Sequence, residues 1–296
     1  MIGMTTRQLT QLVIISSLWG SSYIFMKVIS PVFGPVLVSS LRLLLASLFL
    51  LIYMLVSRKK ISFKGNILFF IFVGVVNSAI PFVLYAFAAL HIDASLSGTL
   101  NSSSPMFGAL FGFIILKNRF DTRQILGLIV GFLGVIIVSS TSFGTGTVEA
   151  VISVFACLLA SACYGLAGTY VKKRNKDVDA TTLSLGTLFF AGLFLLPFSF
   201  FYKISLDIQV SHILYLLFFA IMCTSVPYIL YYKLLREVGA VKALTVTYLI
   251  PLFTVLWSYI FLAERAGWNV FVGLVIILTG VGLLSKRNDL LNREKR

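Results

Sequence analysis

Apolar residues run through this chain in blocks of about twenty, separated by short stretches that hold most of the charge. A block of that length spans the hydrocarbon core of a bilayer as a helix. The pattern predicts ten spans, at 10–29, 36–56, 66–87, 94–116, 122–140, 148–171, 180–202, 211–232, 240–262 and 268–285, joined by short connections with no inserted soluble domain. A membrane barrel would instead show alternating segments of roughly 10 residues, and this chain has no such alternation. The expected fold class is an all-α integral membrane protein.

Composition agrees: of 296 residues 59% are hydrophobic and only 11% charged, against about a quarter charged in soluble domains. The net charge of +14 does not mean a nucleic-acid partner, because the basic residues fall between apolar runs rather than along one stripe. Their placement sets an orientation instead. Arg7 precedes the first span; Arg58, Lys59, Lys60 and Lys64 follow the second; Lys117, Arg119 and Arg123 the fourth. Lys172, Lys173, Arg174 and Lys176 follow the sixth, Lys233, Arg236 and Lys242 the eighth, and Lys286, Arg287, Arg293, Lys295 and Arg296 lie in the tail. The opposite side holds Lys27, Lys203 and Arg265. Both termini are therefore expected in the cytoplasm, with the protein in the cell membrane. No small-residue cleavage site follows the first apolar run, which reads as an uncleaved span. Cys157, Cys163 and Cys223 read as small buried hydrophobes without metal or redox spacing.

The chain repeats itself. Pro81 and Pro227 are 146 residues apart (227 − 81), and the same offset joins Tyr85 to Tyr231, Ala94 to Ala240, Pro105 to Pro251, Phe107 to Phe253, Leu116 to Leu262, Arg119 to Arg265, Gly127 to Gly273 and Gly134 to Gly280. Near the start the offset is 145, pairing Gly20 with Gly165 and Lys27 with Lys172. Two five-helix halves, 1–143 and 144–296, are expected. An odd number of spans per half makes the second copy enter the membrane upside down. Inverted repeats of this kind build secondary transporters with a site near the bilayer midplane.

With these features the sequence resembles the drug/metabolite transporter superfamily, EamA type. The resemblance rests on WGSSYIFMK (19–27), SSLRLLLA (39–46), SSSPMFGALFG (102–112) and GLIVGFLGV (127–135) in the first half. In the second it rests on YGLAGTYVKK (164–173), LTVTYLIPLFTVLWSYIFLAE (244–264) and GLVIILTGVGLL (273–284). The family pattern closes the fourth and ninth spans with an acidic residue; Glu264 fits, whereas the first half has Asn118. The resemblance implies ten helices around a central cavity, and a function in moving amino acids, drugs or other metabolites.

Polar residues inside the spans supply the candidate site. On the helix over 96–113, Ser97, Asn101, Ser104, Pro105, Gly108 and Gly112 share a face, mirrored by Thr247, Pro251, Thr254 and Ser258. Close helix packing explains such small residues, and so does a wet cavity wall. Asn101 is the sharpest residue, since its amide is costly to leave unpaired in lipid. Trp19, Ser22 and Tyr23 share a face of the first span with Met26; Asn77 and Tyr85 share one of the third with Pro81. Tyr164 stands beside Gly165, and Tyr228 and Tyr231 line up with Thr224 and Pro227 on the eighth span. Thr247 and Tyr248 lie within the ninth. Aromatic rings with polar tips suit a partly apolar ligand, while interfacial anchoring or core filling is the competing reading for Trp19, Tyr23, Tyr231 and Trp257. Arg42 lies within a span, where charge is expensive and usually functional. Two turns past Pro35, it is also placed to snorkel toward the surface.

No GxxxxGK[ST], HExxH or GxSxG motif is present, so neither ATP hydrolysis nor intramembrane hydrolysis is expected, and no cofactor is called for. Asp93, Glu149, Glu237 and Glu264 fall at span ends, which leaves end-carboxylate proton coupling or exchange against a counter-substrate. The expected function is alternating-access transport, in the export direction, of a small metabolite such as an amino acid or amphipathic organic compound. A non-transporting membrane subunit or an intramembrane enzyme are the alternatives; His91 and His212 both lie in outer loops.

Overall fold

The computed structural model describes residues 4–59, 61, 63, 66–144, 147–174, 178–201, 208–243 and 245–285. Lys60, Lys64, Lys176, Lys203 and the basic residues of the tail lie outside them. The described residues form helices: α1 (Thr6–Phe33), α2 (Pro35–Val56), α3 (Ile67–Ala88), α4 (Ala94–Leu116), α5 (Thr122–Gly144), α6 (Val148–Arg174), α7 (Ala180–Ser199), α8 (Val210–Val238), α9 (Val246–Leu262) and α10 (Trp268–Ser285). By length and composition α1 to α8 can cross a membrane; α9 and α10 are shorter and equally apolar.

Polarity is distributed in reverse of a soluble protein. Large apolar side chains face outward, among them Leu48, Ile52 and Leu55 of α2, Ile125, Ile129, Leu133 and Ile136 of α5, and Phe155 and Leu159 of α6. Ser and Thr are buried instead, including Ser16, Ser40, Ser103, Ser161, Thr254 and Ser258. In lipid there is no hydrophobic gain from bringing helices together, so small residues and hydroxyl bonds hold the bundle. Ser40 Oγ donates to the Gly192 carbonyl of α7 at 3.0 Å, and Thr254 Oγ1 of α9 to the Gly20 carbonyl of α1 at 3.1 Å.

Glycines set the closest approaches. A Cβ added at Gly280 of α10 would stand 2.6 Å from the Gly127 carbonyl oxygen of α5, and one at Gly127 would stand 2.7 Å from that of Gly280. Gly134 and Gly273 are related in the same way, each Cβ falling 2.9 Å from the other's carbonyl oxygen. At Gly165 of α6 a Cβ would lie 2.7 Å from the Phe107 carbonyl carbon of α4.

Prolines shape the long helices. Helix α3 passes through a π-helical stretch at Val75–Ala79 and α8 through one at Ile221–Ser225, each just before a proline, Pro81 or Pro227. A proline cannot donate to the carbonyl four residues back, and the widened turn rearranges the ladder around it. These stretches again differ by 146 (221 − 75), as do the left-handed residues Lys117 and Ala263 that end α4 and α9. The span expected at 94–116 is broken by a turn at Ser102–Ser103, because Pro105 removes the N–H that would bond Asn101. Ser104 Oγ takes that carbonyl instead, at 2.7 Å. The span expected to begin at 240 begins at Val246: Gly239, with φ 79°, closes α8, and Ala240–Ala243 makes only a single turn.

Candidate functional site

The prolines have a consequence for the middle of the bundle. Four of the seven stand four residues after a polar candidate or its repeat mate: Asn77 before Pro81, Asn101 before Pro105, Cys223 before Pro227 and Thr247 before Pro251. The chain thus releases backbone carbonyls within its apolar interior, which is tolerated only where protein or water satisfies them.

Around these carbonyls α1, α3, α4 and α6 bring one polar cluster together. The Tyr85 hydroxyl donates to Asn101 Oδ1 at 3.0 Å and lies 3.1 Å from Ser161 Oγ. Ser104 Oγ also reaches Asn101 Oδ1, at 3.2 Å. Tyr23 meets the Tyr85 ring edge-on at 5.4 Å, and Tyr164 stacks on it at 6.3 Å. Tyr85 is 1% exposed, and its hydroxyl ties α3 to α4 and α6. Tyr23 is buried as well, while Asn101, Ser104 and Tyr164 are half-buried.

A second aromatic cluster joins α1 to α8. Trp19 meets Tyr228 edge-on at 5.9 Å and Tyr231 at 5.4 Å. Tyr228 stacks in turn on Tyr232, one helical turn along, at 6.1 Å, and its hydroxyl interacts with the Asn77 side chain. All four rings are half-buried. Trp19 and Tyr231 thus pack, half-buried, against the bundle core. Trp257 is a packing residue, its Nε1 donating to the Ser17 carbonyl of α1 at 3.2 Å. Thr247 and Tyr248 stand half-buried at the start of α9, Tyr248 against the core that also holds Trp19 and Tyr164.

Between the two clusters lies Arg42. The snorkelling expected as one reading does not occur: the residue is 3% exposed and turned inward. Its guanidinium is clamped between the rings of Phe82 and Phe219, each centroid 4.0 Å away. Nε donates to Thr224 Oγ1 at 2.7 Å, and Nη2 reaches Ser22 Oγ and the Cys223 carbonyl, both at 3.4 Å. The carbonyl freed by Pro227 is therefore taken by Arg42. Nη1 is buried and has no partner. A charge at the bilayer centre costs about 3 kcal/mol or more, and two desolvated cation–π faces offset about 2 kcal/mol each. Tyr23, Tyr164 and Tyr228 lie close enough to interact with the charge.

Phe82, Phe219, Ser161 and Tyr232 carry no signal in the sequence: the chain has 27 Phe and 12 Tyr, and neither clamp ring sits in a distinguishing motif. Thr224 is legible only as part of the α8 face.

A cavity of about 460 Å³ opens where α2 and α8 end and α7 begins, lined by Tyr53, Lys59, Tyr232, Lys233, Arg236 and Glu237 among others. Lys59 lies over the Tyr53 ring at 5.1 Å. Arg236 pairs with Asp179, which also caps α7 by accepting the N–H of Thr181 and Thr182 at 3.0 and 3.3 Å. Glu237 meets Arg7 at 3.8 Å. Among the described residues no group of His, Cys, Asp or Glu is placed to hold a metal.

Known proteins are similar to this chain in sequence and in fold. A model of the EamA-like transporter family matches residues 9–140 and 151–286. Two Bacillus subtilis (strain 168) proteins, the uncharacterized transporters YvbV and YoaV, are 26% and 21% identical over 96% and 90% of this chain, and over 93% and 92% of their own lengths. An uncharacterized transporter of Archaeoglobus fulgidus is 24% identical over 91% of this chain and 94% of its own length. A solved crystal structure superposes with a TM-score of 0.68 at 14% identity, over 99% of this chain and all of that one; that likeness shows the fold.

Proposed function

The chain belongs to the EamA-like transporter family, and on that premise we propose that it is a secondary transporter exporting a small metabolite by alternating access. The proposed cargo is an amino acid or amphipathic organic compound, held near the midplane. Trp19, Ser22, Tyr23, Arg42, Asn77, Tyr85, Asn101, Ser104, Tyr164, Tyr228, Tyr231, Thr247 and Tyr248 are the proposed lining. The observation that carries this reading is the meeting of the Tyr85–Asn101 bond and the Trp19–Tyr228–Tyr231 rings around Arg42 within a membrane bundle.

The proposed frame is ten spans in two inverted halves, 1–143 and 144–296. At 17 residues, α9 is about 26 Å long, near the lower limit for a span. The glycine contacts support the inversion. Gly127 meets Gly280, the mate of Gly134, and Gly134 meets Gly273, the mate of Gly127. Reciprocal contact of this kind is what a two-fold axis produces. The numbering rises along α5 as it falls along α10, so the helices are antiparallel and the axis lies in the membrane plane. With positive charge inside, both termini and the Lys59–Arg236 cavity face the cytoplasm.

Thermal stability of the detergent-solubilised protein against amino acids, nucleosides, sugars, organic cations and organic anions tests the reading. A ligand at 100 times its Kd adds about 2.7 kcal/mol when it binds only the folded state. A hit that disappears in Asn101→Ala, with basal melting unchanged, supports the site. Hits that survive in Asn101→Ala place the ligand elsewhere.

A further inference from the structure

Resting on the transporter reading, we infer that the cargo is a carboxylate with an aromatic or apolar body, and that Arg42 is the group that recognises its charge. Among the described residues Arg42 has no acidic partner. Nor does any acidic side chain among the described residues lie in the middle of a helix: Asp93, Asp121, Glu149, Asp179, Glu237 and Glu264 all stand at helix ends or between helices. The ion pairs of the described residues, Arg7 with Glu237 and Arg236 with Asp179, are both at the end of the bundle.

The geometry narrows the ligand further. Phe82 and Phe219 each stand with the ring centroid 4.0 Å from the guanidinium carbon, which favours a partner that approaches along the edge of the group. The Nε edge is taken by Thr224. Nη2 has only two long contacts, and Nη1 none. The edge that remains is the one a planar carboxylate occupies with two parallel N–H···O bonds. One guanidinium balances one negative charge, which favours a carboxylate over a phosphate dianion. The Trp19, Tyr228 and Tyr231 rings provide for the apolar body.

The charge of the cavity points the same way. Lys59, Lys233 and Arg236 outnumber Glu237 in its lining, and Tyr232 in its wall stacks on Tyr228, which is within electrostatic range of Arg42. An anion gathered there is one helical turn of α8 from the midplane cluster.

The experiment uses matched pairs: phenylalanine and phenylalaninamide, indole-3-acetate and indole-3-acetamide, with phenyl phosphate and an organic cation alongside. Binding to the full-length protein in detergent and uptake into proteoliposomes are measured for wild type, Arg42→Gln and Arg42→Lys. The expected result is a preference of about tenfold or more for at least one carboxylate over its amide. That preference should fall to about one in Arg42→Gln and survive in part in Arg42→Lys. In wild type, the Lys59→Gln/Lys233→Gln double change should slow carboxylate uptake several-fold at low salt and leave the preference unchanged. Equal binding of carboxylate and amide overturns the inference, as does a preference that persists without the guanidinium. Binding of the cation or the phosphate alone also overturns it, yet leaves the transporter standing. Failure of wild type to bind or move any probe of any charge sinks the transporter reading and this inference together. A purely structural Arg42 would lower melting in both variants without altering the ratio within a pair.

Discussion

Glu264 and Ala94 tie the end of α9 to the start of α4: Oε1 of the glutamate accepts the Ala94 N–H at 3.1 Å, and Oε2 accepts that of Ser95 at 3.3 Å. Asp93, at the N-cap position itself, makes no side-chain bond there. Capping of α4 is thus supplied from another helix, and a carboxylate at a helix N-terminus also answers the helix dipole. Glu264→Ala should destabilise the protein by about 1–2 kcal/mol, read as a fall in melting temperature in detergent. Glu264→Gln, which keeps an acceptor, should lose less. Equal losses in the two variants would show that the acceptor is not what matters.

Gly280 and Gly282 lie two residues apart on α10 and should respond oppositely to alanine. At Gly280 the new methyl would meet the Gly127 carbonyl oxygen and the Gly131 nitrogen, at 2.6 and 2.5 Å. Both neighbours are backbone and cannot swing away, so Gly280→Ala should cost about 1–3 kcal/mol. At Gly282 nothing lies within 4 Å, and Gly282→Ala should gain up to about 1 kcal/mol from helix propensity. Thermal melting of the two variants beside wild type checks the contrast.

Tyr85→Phe keeps the ring against Tyr23 and Tyr164 and removes the hydroxyl. Asn101 Oδ1 then loses its donor from α3, though Ser104 still reaches it. The expected cost is about 1–2 kcal/mol, with a larger proportional loss of ligand binding, because Asn101 becomes free to reorient. Thermal melting and ligand titration of the same variant separate the two effects.

Asp179 gives a pH dependence with a definite sign. Burial pulls its carboxyl upward, but the N–H groups of Thr182 and Thr181 together with Arg236 outweigh this and hold it below its ordinary value. A depressed acid contributes stability above its unfolded value of about 3.9, and loses it as pH falls through the folded value. Melting should therefore be insensitive to this group between about pH 5 and 8. Asp179→Asn keeps a capping oxygen but loses the pairing with Arg236. It should melt below wild type at pH 7, and the gap should close below about pH 4. A constant gap across that range would count against the pairing.

The offsets of 146 and 145 are readable from Pro, Gly and Tyr alone, since these residues have few substitutes where a helix must bend or approach a neighbour. Their effects are less readable. Pro81 and Pro227 announce a disturbed turn, but whether it is a kink or a π-helical stretch depends on which neighbours take up the freed groups; in α8 Arg42 takes the Cys223 carbonyl, while Thr224 and Ser225 donate to the Phe219 and Ala220 carbonyls one turn earlier. Arg42 shows the same limit. Its position in a span is plain from sequence, while inward burial depends on Phe82 and Phe219, which arrive from two other helices and are ordinary phenylalanines in one dimension. Thr187, offset 145 from Arg42, sits in a stretch that otherwise follows the first half, with Ser39 matching Ser184, Leu43 matching Leu188 and Ala46 matching Ala191. That asymmetry was in the sequence and becomes meaningful only once Arg42 is seen to be buried.

The pairing of Gly127 with Gly280 and of Gly134 with Gly273 bears on ancestry. A lone five-helix chain with glycines at the first two places would carry on a single helix all that is needed to dock onto an oppositely inserted twin. Any change there would be felt twice, once in each partner, and would be hard to accept. Fusion of the twins into one gene lifts that constraint, since each half can then drift by itself. Arg42 against Thr187 and Glu264 against Asn118 are the divergences that such a release permits: in each, the charge stands on one side only.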